Sequence, residues 1–310
     1  MKKDIRQLFD EFMHECEYVR MRRQETLKGY KISFSTFLKL VPGVTVQLLT
    51  PLTLTNYFKI LHERKRIVGK GEIKSGIKKS TLASHWNKLS AFFSWLVAKK
   101  YMESNPFDEM QHPTPIYEDK KFLKKEEIEK ILAAIHSHSS TLLLVKRNLV
   151  IFYLLLFCGL RKEELMLLQI RDIDFERKVL TIRADISKSA HTRQLPLHST
   201  VLLYLKDYLK ERKDYTTQYL IVSSSRDDKF SFDGLRHLIN KLRLYSGVRF
   251  HLHQFRHTFA VNFLKSSNNL VTLKHLLGHK DIKMTMVYLR CLPTDGMRDD
   301  VENMSIDSFI

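Results

Sequence analysis

Residue types suited to phosphate chemistry recur between positions 159 and 288 of this 310-residue chain. Arg161 lies in Gly159-Leu160-Arg161-Lys162-Glu163-Glu164-Leu165, directly after an apolar stretch. An arginine there can point a bidentate fork at phosphate oxygens. Taken alone, Arg161 and Glu164 also read as a surface pair at i, i+3. In His253-Gln254-Phe255-Arg256-His257-Thr258-Phe259-Ala260, His253 and Arg256 share one helical face and can converge on one phosphate. His253 and His257, at i, i+4, also have the spacing of a zinc-binding helix. A zinc protease needs glutamate where Gln254 stands, and no nearby cysteine or carboxylate completes a site, so no metal is expected.

Three more patterns complete the set. Leu276-Leu277-Gly278-His279 is followed nine residues later by Tyr288, with Thr285 between. Lys188 lies between two predicted strands in Ile186-Ser187-Lys188-Ser189-Ala190-His191-Thr192-Arg193-Gln194-Leu195-Pro196-Leu197. Singly, Lys188 reads as a solvated edge-strand residue and Tyr288 as a packing residue among 12 tyrosines. In order, the five patterns resemble the tyrosine recombinase (phage integrase, Xer-like) family. Its members have G-L-R-x-x-E-L, a hairpin lysine with Arg and Pro five and eight residues on, H-x-L-R-H-[ST]-F-A, and L-L-G-H before a tyrosine. Phe255 replaces the usual leucine, and the resemblance covers nearly the whole chain.

The resemblance implies a chemistry that the residue types suit. A phosphodiester repels nucleophiles, so a catalyst must neutralise its non-bridging oxygens and the charge gathered during attack, a task for Arg161 and Arg256 with help from His279. Tyr288 is then the nucleophile. Its hydroxyl, with an ordinary pKa of ~10, needs a base, which the resemblance makes His253; Lys188 protonates the leaving 5′ oxygen. Attack leaves a 3′-phosphotyrosine and a free 5′-hydroxyl, so one ester replaces another and no ATP is required. No cofactor is expected, and Gly69-Lys70-Gly71 lacks the spacing of a phosphate-binding loop. Two alternatives stay open: a type IB topoisomerase, which shares the chemistry but relaxes supercoils, and a catalytically silent DNA-binding regulator.

The rest of the chain must position this set and hold its substrate. With 52 Lys+Arg against 34 Asp+Glu, the net charge of +18 favours a polyanionic partner, nucleic acid before a membrane surface. Cys16, Cys158 and Cys291 are widely spaced, as in a reducing cytoplasm, and no apolar run reaches the ~20 residues of a bilayer span. The start, MKKDIRQLFDEF, lacks the apolar core of an export signal, so a soluble, cytoplasmic protein is expected. Pro113 and Pro115 mark an extended connector at 113–119. The expected fold is mainly α: a two-domain DNA clamp, with a helical SAM-like core-binding domain at 1–112 and an α-rich catalytic domain with a small antiparallel sheet at 120–310.

In the first domain, helical patterns at 4–20, 24–40 and 53–67 precede the clearest stripe, Leu82, Trp86, Leu89, Phe93 and Leu96. Residues 64–79 read as a mobile basic loop with seven basic residues, one acid and three glycines. Arg64, Lys65, Arg66, Lys70, Lys78 and Lys79 are candidate phosphate contacts, and Asn87 and Lys88 candidates for base edges. In the second domain, helices at 125–138 and 142–158 precede β-rich runs at 178–184, 193–197 and 219–222. Residues 295–310 set Arg298 against Asp295, Asp299, Asp300, Glu302 and Asp307, interleaved with apolar residues. The resemblance makes this tail, from about 294, a segment that docks on a neighbouring protomer of a synaptic homotetramer on double-stranded DNA.

Overall fold

The structure, a computed structural model, describes residues 3–69, 71–114 and 121–292. The expected connector therefore falls partly, and Lys70 and the expected tail wholly, outside the described residues. Contacts divide the chain into two compact units, Met1–Glu118 and Asp119–Ile310.

In the first unit, α1 (Ile5–His14) runs on through a π turn, Glu15–Val19, and is followed by α2 (Gln24–Leu40) and α3 (Pro51–Glu63). Pro51 pre-sets the first turn of α3, and the Thr50 side chain accepts from the Thr53 N–H. Strands β1 (Lys65–Val68) and β2 (Glu72–Ser75) then precede α4 (Lys79–Ala98). Four of the five α4 stripe residues, Trp86, Leu89, Phe93 and Leu96, enter an aromatic core; Leu82 packs at its margin. Phe9 stacks on Phe34 at 3.8 Å and meets Phe92 edge-on at 5.2 Å. Rings of this size dominate the burial that holds a helical bundle together.

The basic stretch departs from expectation. Instead of a continued helix and a loop, α3 stops at Glu63 and an antiparallel hairpin pairs Lys65 with Ser75 and Ile67 with Ile73. Its base closes where the Gly76 N–H donates to the Arg64 carbonyl. Gly76 has φ +66, and a Cβ there would lie 2.4 Å from the His62 carbonyl oxygen, so only glycine fits. Both Ile67 and Ile73 are exposed, and β2 is exposed at all four positions, so β2 shows no alternation between a buried and a solvated face.

In the second unit, α5 (Lys125–His138), α6 (Leu142–Cys158) and α7 (Lys162–Leu167) lead into a three-stranded antiparallel sheet, β3 (Ile173–Asp174), β4 (Val179–Ile182) and β5 (Arg193–Pro196). Then come α8 (Ser199–Glu211), α9 (Phe232–Ser246), α10 (Leu252–Ser267), α11 (Leu270–Leu277) and α12 (Lys283–Met286). Helix α6 is apolar nearly all round because α5, α8 and α10 all pack on it. The β-rich run at 219–222 forms isolated bridges rather than a strand. The buried Arg212 guanidinium takes the carbonyls of Thr217, Tyr219 and Leu220, which would otherwise serve a ladder.

Candidate active site

Two glycines set the frame of the site. Helix α6 ends at Gly159, φ 57, and a Cβ there would lie 2.5 Å from the Phe259 ring on α10. Helix α11 ends at Gly278, φ +63, where a Cβ would press on the Arg193 guanidinium at 3.0 Å. Left-handed glycines at both ends let the chain turn sharply and bring helix-terminal carbonyls close to the two arginines.

Arg161 caps α7. Its backbone N–H donates to Glu164 Oε2 at 2.9 Å, its Nη1 to Oε1 at 2.9 Å, and its Nη2 to the Gly278 carbonyl at 3.3 Å. The i, i+3 pair therefore exists, but away from the surface, since Glu164 is fully buried. Arg193 forks onto the same carboxylate at 2.9 and 2.8 Å and donates Nε to the Leu276 carbonyl, tying β5 to α7 and α11. Burial by itself would raise the Glu164 pKa, but hydrogen bonds and charge from Arg193 and Arg161 outweigh it and hold the group below its ordinary value.

Arg256 is 1% exposed. Its Nη1 donates to the Gly159 carbonyl at 2.8 Å, and its Nη2 to the Leu277 carbonyl at 2.6 Å and to His279 Nε2 at 3.0 Å. A guanidinium has only donors, so His279 Nε2 is the acceptor and its Nδ1–H faces Thr285 Oγ1 at 2.9 Å. Burial, then the Arg256 and Arg161 charges, push the His279 pKa down to about 3, which agrees with that neutral tautomer.

Tyr288 follows α12, is 2% exposed, and packs among Ala260, Val261, Leu264, Leu273 and Leu277. Burial raises its pKa, while the charges of Arg256 and Arg161 pull it down. Its hydroxyl lies 3.0 Å from His257 Nδ1, not on the expected His253. His253 is exposed and meets the His257 ring edge-on, 4.4 Å between centroids. The sequence pointed to His257 only as a rival zinc ligand. Its i, i+4 relation to His253 was the available signal, because that spacing puts both rings on one face. Among the described residues, no cluster of three metal-ligating side chains occurs.

Lys188 is exposed in the turn between β4 and β5. Its neighbours Ser189, His191, Thr192 and Arg193 line a cleft together with Gly278 and His279. The structure thus joins Arg161, Arg256 and His279 in one hydrogen-bonded network beside Tyr288, brings His253 to it through His257, and leaves Lys188 on the turn that edges the cleft. A model of the phage integrase family matches residues 121–294, more than half of the chain.

The chain belongs to the phage integrase family. Among its relatives, tyrosine recombinase XerA of Thermococcus onnurineus is 35% identical over 172 residues, 55% of this chain and 58% of that protein. XerA of Pyrococcus horikoshii is 31% identical over 188 residues, 60% and 62%. The chain spans about three-fifths of the length of these two relatives. Tyrosine recombinase XerC of Listeria monocytogenes is 23% identical over 291 residues, 92% of each chain. The fold is shared with the Tn1549 transposon integrase in complex with transposon right end DNA, at 18% identity and TM-score 0.75, over 97% of this chain and 99% of that one. XerH recombinase in its post-cleavage complex with a palindromic difH substrate gives 17% identity and TM-score 0.72, over 92% and 82%.

The candidate DNA contacts of the first unit divide into exposed and engaged residues. Lys65, Lys78 and Lys79 are exposed at the base of the hairpin and the start of α4. Arg66 is half-buried and donates Nε to the Gly76 carbonyl. Arg64 is the half-buried C-cap of α3. On α4, Asn87 Oδ1 lies 3.0 Å from His112 Nε2, and the Lys88 stem covers Gly29.

Proposed function

We propose that this chain is a site-specific DNA recombinase that cuts and rejoins duplex DNA through a 3′-phosphotyrosine at Tyr288. The observation that carries the reading is the network in which buried Arg256 bridges to His279 while Arg161 holds Gly278, with the Tyr288 hydroxyl close enough to feel both guanidinium charges. Fixed donors of this kind stabilise the charge that develops on a phosphorane without reorganising during the reaction.

Tyr288 attacks phosphorus, the bond to the 5′ oxygen breaks, and Lys188 on its hairpin protonates that oxygen. The phosphotyrosine keeps the ester energy for attack by a second 5′-hydroxyl, so the chemistry is reversible and needs no nucleotide. His253, at the exposed end of the histidine pair, faces the incoming phosphate with Arg256. Exposed Lys65, Lys78 and Lys79, with Lys70, add affinity that does not depend on sequence. The neighbours named as complexes with DNA substrates support duplex DNA as the partner. On the same reading, four protomers assemble on two sites, and residues 294–310 dock on a neighbour.

The test is a nicked duplex, chosen from a random-sequence pool by binding to the full chain, incubated with protein and run on a denaturing gel. A covalent adduct is expected from the wild type and none from Tyr288→Phe. An undiminished adduct in that variant would remove Tyr288 as nucleophile. Sequence-independent plasmid relaxation without joint molecules would instead indicate a topoisomerase.

A further inference from the structure

Helix α10 carries two histidines on one face, and the deeper one, not the exposed one, touches the reacting oxygen. His257 is 7% exposed and its Nδ1 lies 3.0 Å from Tyr288 Oη, a normal hydrogen-bond separation. One turn earlier, His253 presents its ring edge-on to His257 at 81°. We propose that His257 positions the Tyr288 hydroxyl and accepts its proton as the oxygen attacks phosphorus. The inference rests on the recombinase reading and deepens it.

The Tyr288 Oη–P bond forms, the P–O5′ bond breaks, the phenol proton passes to His257 Nδ1, and O5′ receives a proton from Lys188. In resealing, His257 returns the proton to Tyr288 as it leaves. A phenol buried among Ala260, Val261 and Leu264 has little access to water, so ionisation needs an acceptor in direct contact. The charged and titratable groups around the pair include Arg256 and His253 on α10, Arg161 at the start of α7, and Cys291 beyond Tyr288. The charges of Arg256 and Arg161 favour the phenolate.

The experiment measures single-turnover adduct formation by the full chain on the pool-selected nicked duplex, from pH 5.5 to 9.5. It compares wild type with His257→Ala, His257→Gln, His253→Ala and Lys188→Ala. A second duplex carries sulfur in place of the bridging 5′ oxygen, a leaving group that needs no proton. His257→Ala should be slower by ~10² at pH 7, with a rate that climbs toward the pKa of tyrosine. Sulfur should restore Lys188→Ala but not His257→Ala. His257→Gln, which keeps a hydrogen-bonding group, should retain DNA binding and share the kinetic defect, so a folding failure of the alanine variant does not decide the matter. Wild-type rate and pH profile in His257→Gln would overturn the proposal. Faster cleavage by His257→Ala would do the same, by making the contact a restraint on Tyr288. Lack of an adduct in the wild type would overturn the recombinase reading itself, a result distinct from an adduct indifferent to position 257.

Discussion

The two units bury different things. Among the described residues, the first encloses aromatic rings and few polar groups, Ser33, His85 and Asn105, and leaves its basic residues mostly at the surface. The second encloses Arg147, Glu164, Arg212, Arg256, His257 and Thr285, several of them charged. Taking a charge out of water is expensive unless partners replace the solvent, so such groups mark places where the fold accepts a penalty for placement. Burial alone does not mark chemistry. Arg147 lies over the Phe230 ring at 4.1 Å and donates to the Val222 carbonyl, and Arg212 ties up the loop at 217–220. Arg256 differs from both because it reaches the end of α6, the end of α11 and His279 at once, beside Tyr288.

That distinction predicts the largest effect. Arg256→Lys keeps a charge but cannot hold three acceptors in one plane, so cleavage should fall at least ~10²-fold while DNA binding persists. Arg212→Lys should do the opposite, leaving adduct formation near normal per folded molecule and lowering the melting temperature by several degrees, on the order of 2 kcal/mol. Adduct assays and thermal melts on the two variants separate these outcomes. Equal loss of cleavage in both would mean that any buried arginine of this unit supports the site.

How much could be read in advance follows the same division. In the second unit the signals were local: Gly159 before Arg161, Gly278 before His279, and a helical turn carrying His253 and Arg256. Each survives as a short motif because a left-handed glycine or an i, i+3 spacing acts within a few residues. The partnership of His257 with Tyr288 was not legible, because it spans 31 positions and depends on how α11 and α12 fold back onto α10. In the first unit, the stripe of α4 was plain, but the hairpin was hidden. Strand β2, exposed throughout, carries no period-2 pattern, and Gly69, Gly71 and Gly76 among basic residues look like a loop. The run at 219–222 failed in reverse: its residues are β-formers, yet Arg212 takes their carbonyls.

The contrast also has a pH signature. His85 is buried in the first unit with its Nδ1 3.0 Å from the Tyr57 hydroxyl, and burial, then the charges of Lys88 and Arg64, push its pKa down to about 4. Since the folded value lies below the ordinary 6.5, the unfolded chain binds more protons between the two. The stabilisation is complete above about 6.5 and is lost as pH falls through about 4. His279 has the same sign, with a window that extends down to about 3. The melting temperature of the wild type should therefore fall more steeply from pH 7 to 4 than that of His85→Gln. Parallel curves would mean that His85 is protonated in the folded state.

The smallest effect concerns the hairpin region, whose exposed lysines are proposed to contact phosphate. Lys65 and Lys79 have no fixed geometry to preserve, so each should act through counterion release alone. Removing one phosphate contact should lower the slope of log affinity against log salt by about 1 and weaken binding only a few-fold near physiological salt. Ile67→Ala, on the same strand as Lys65, should leave that slope unchanged because it removes no charge. Fluorescence anisotropy of a labelled duplex across a salt series measures all three variants. A slope unaltered in Lys65→Ala and Lys79→Ala would move the electrostatic grip off this hairpin, and the first unit's basic surface would need another explanation than phosphate contact.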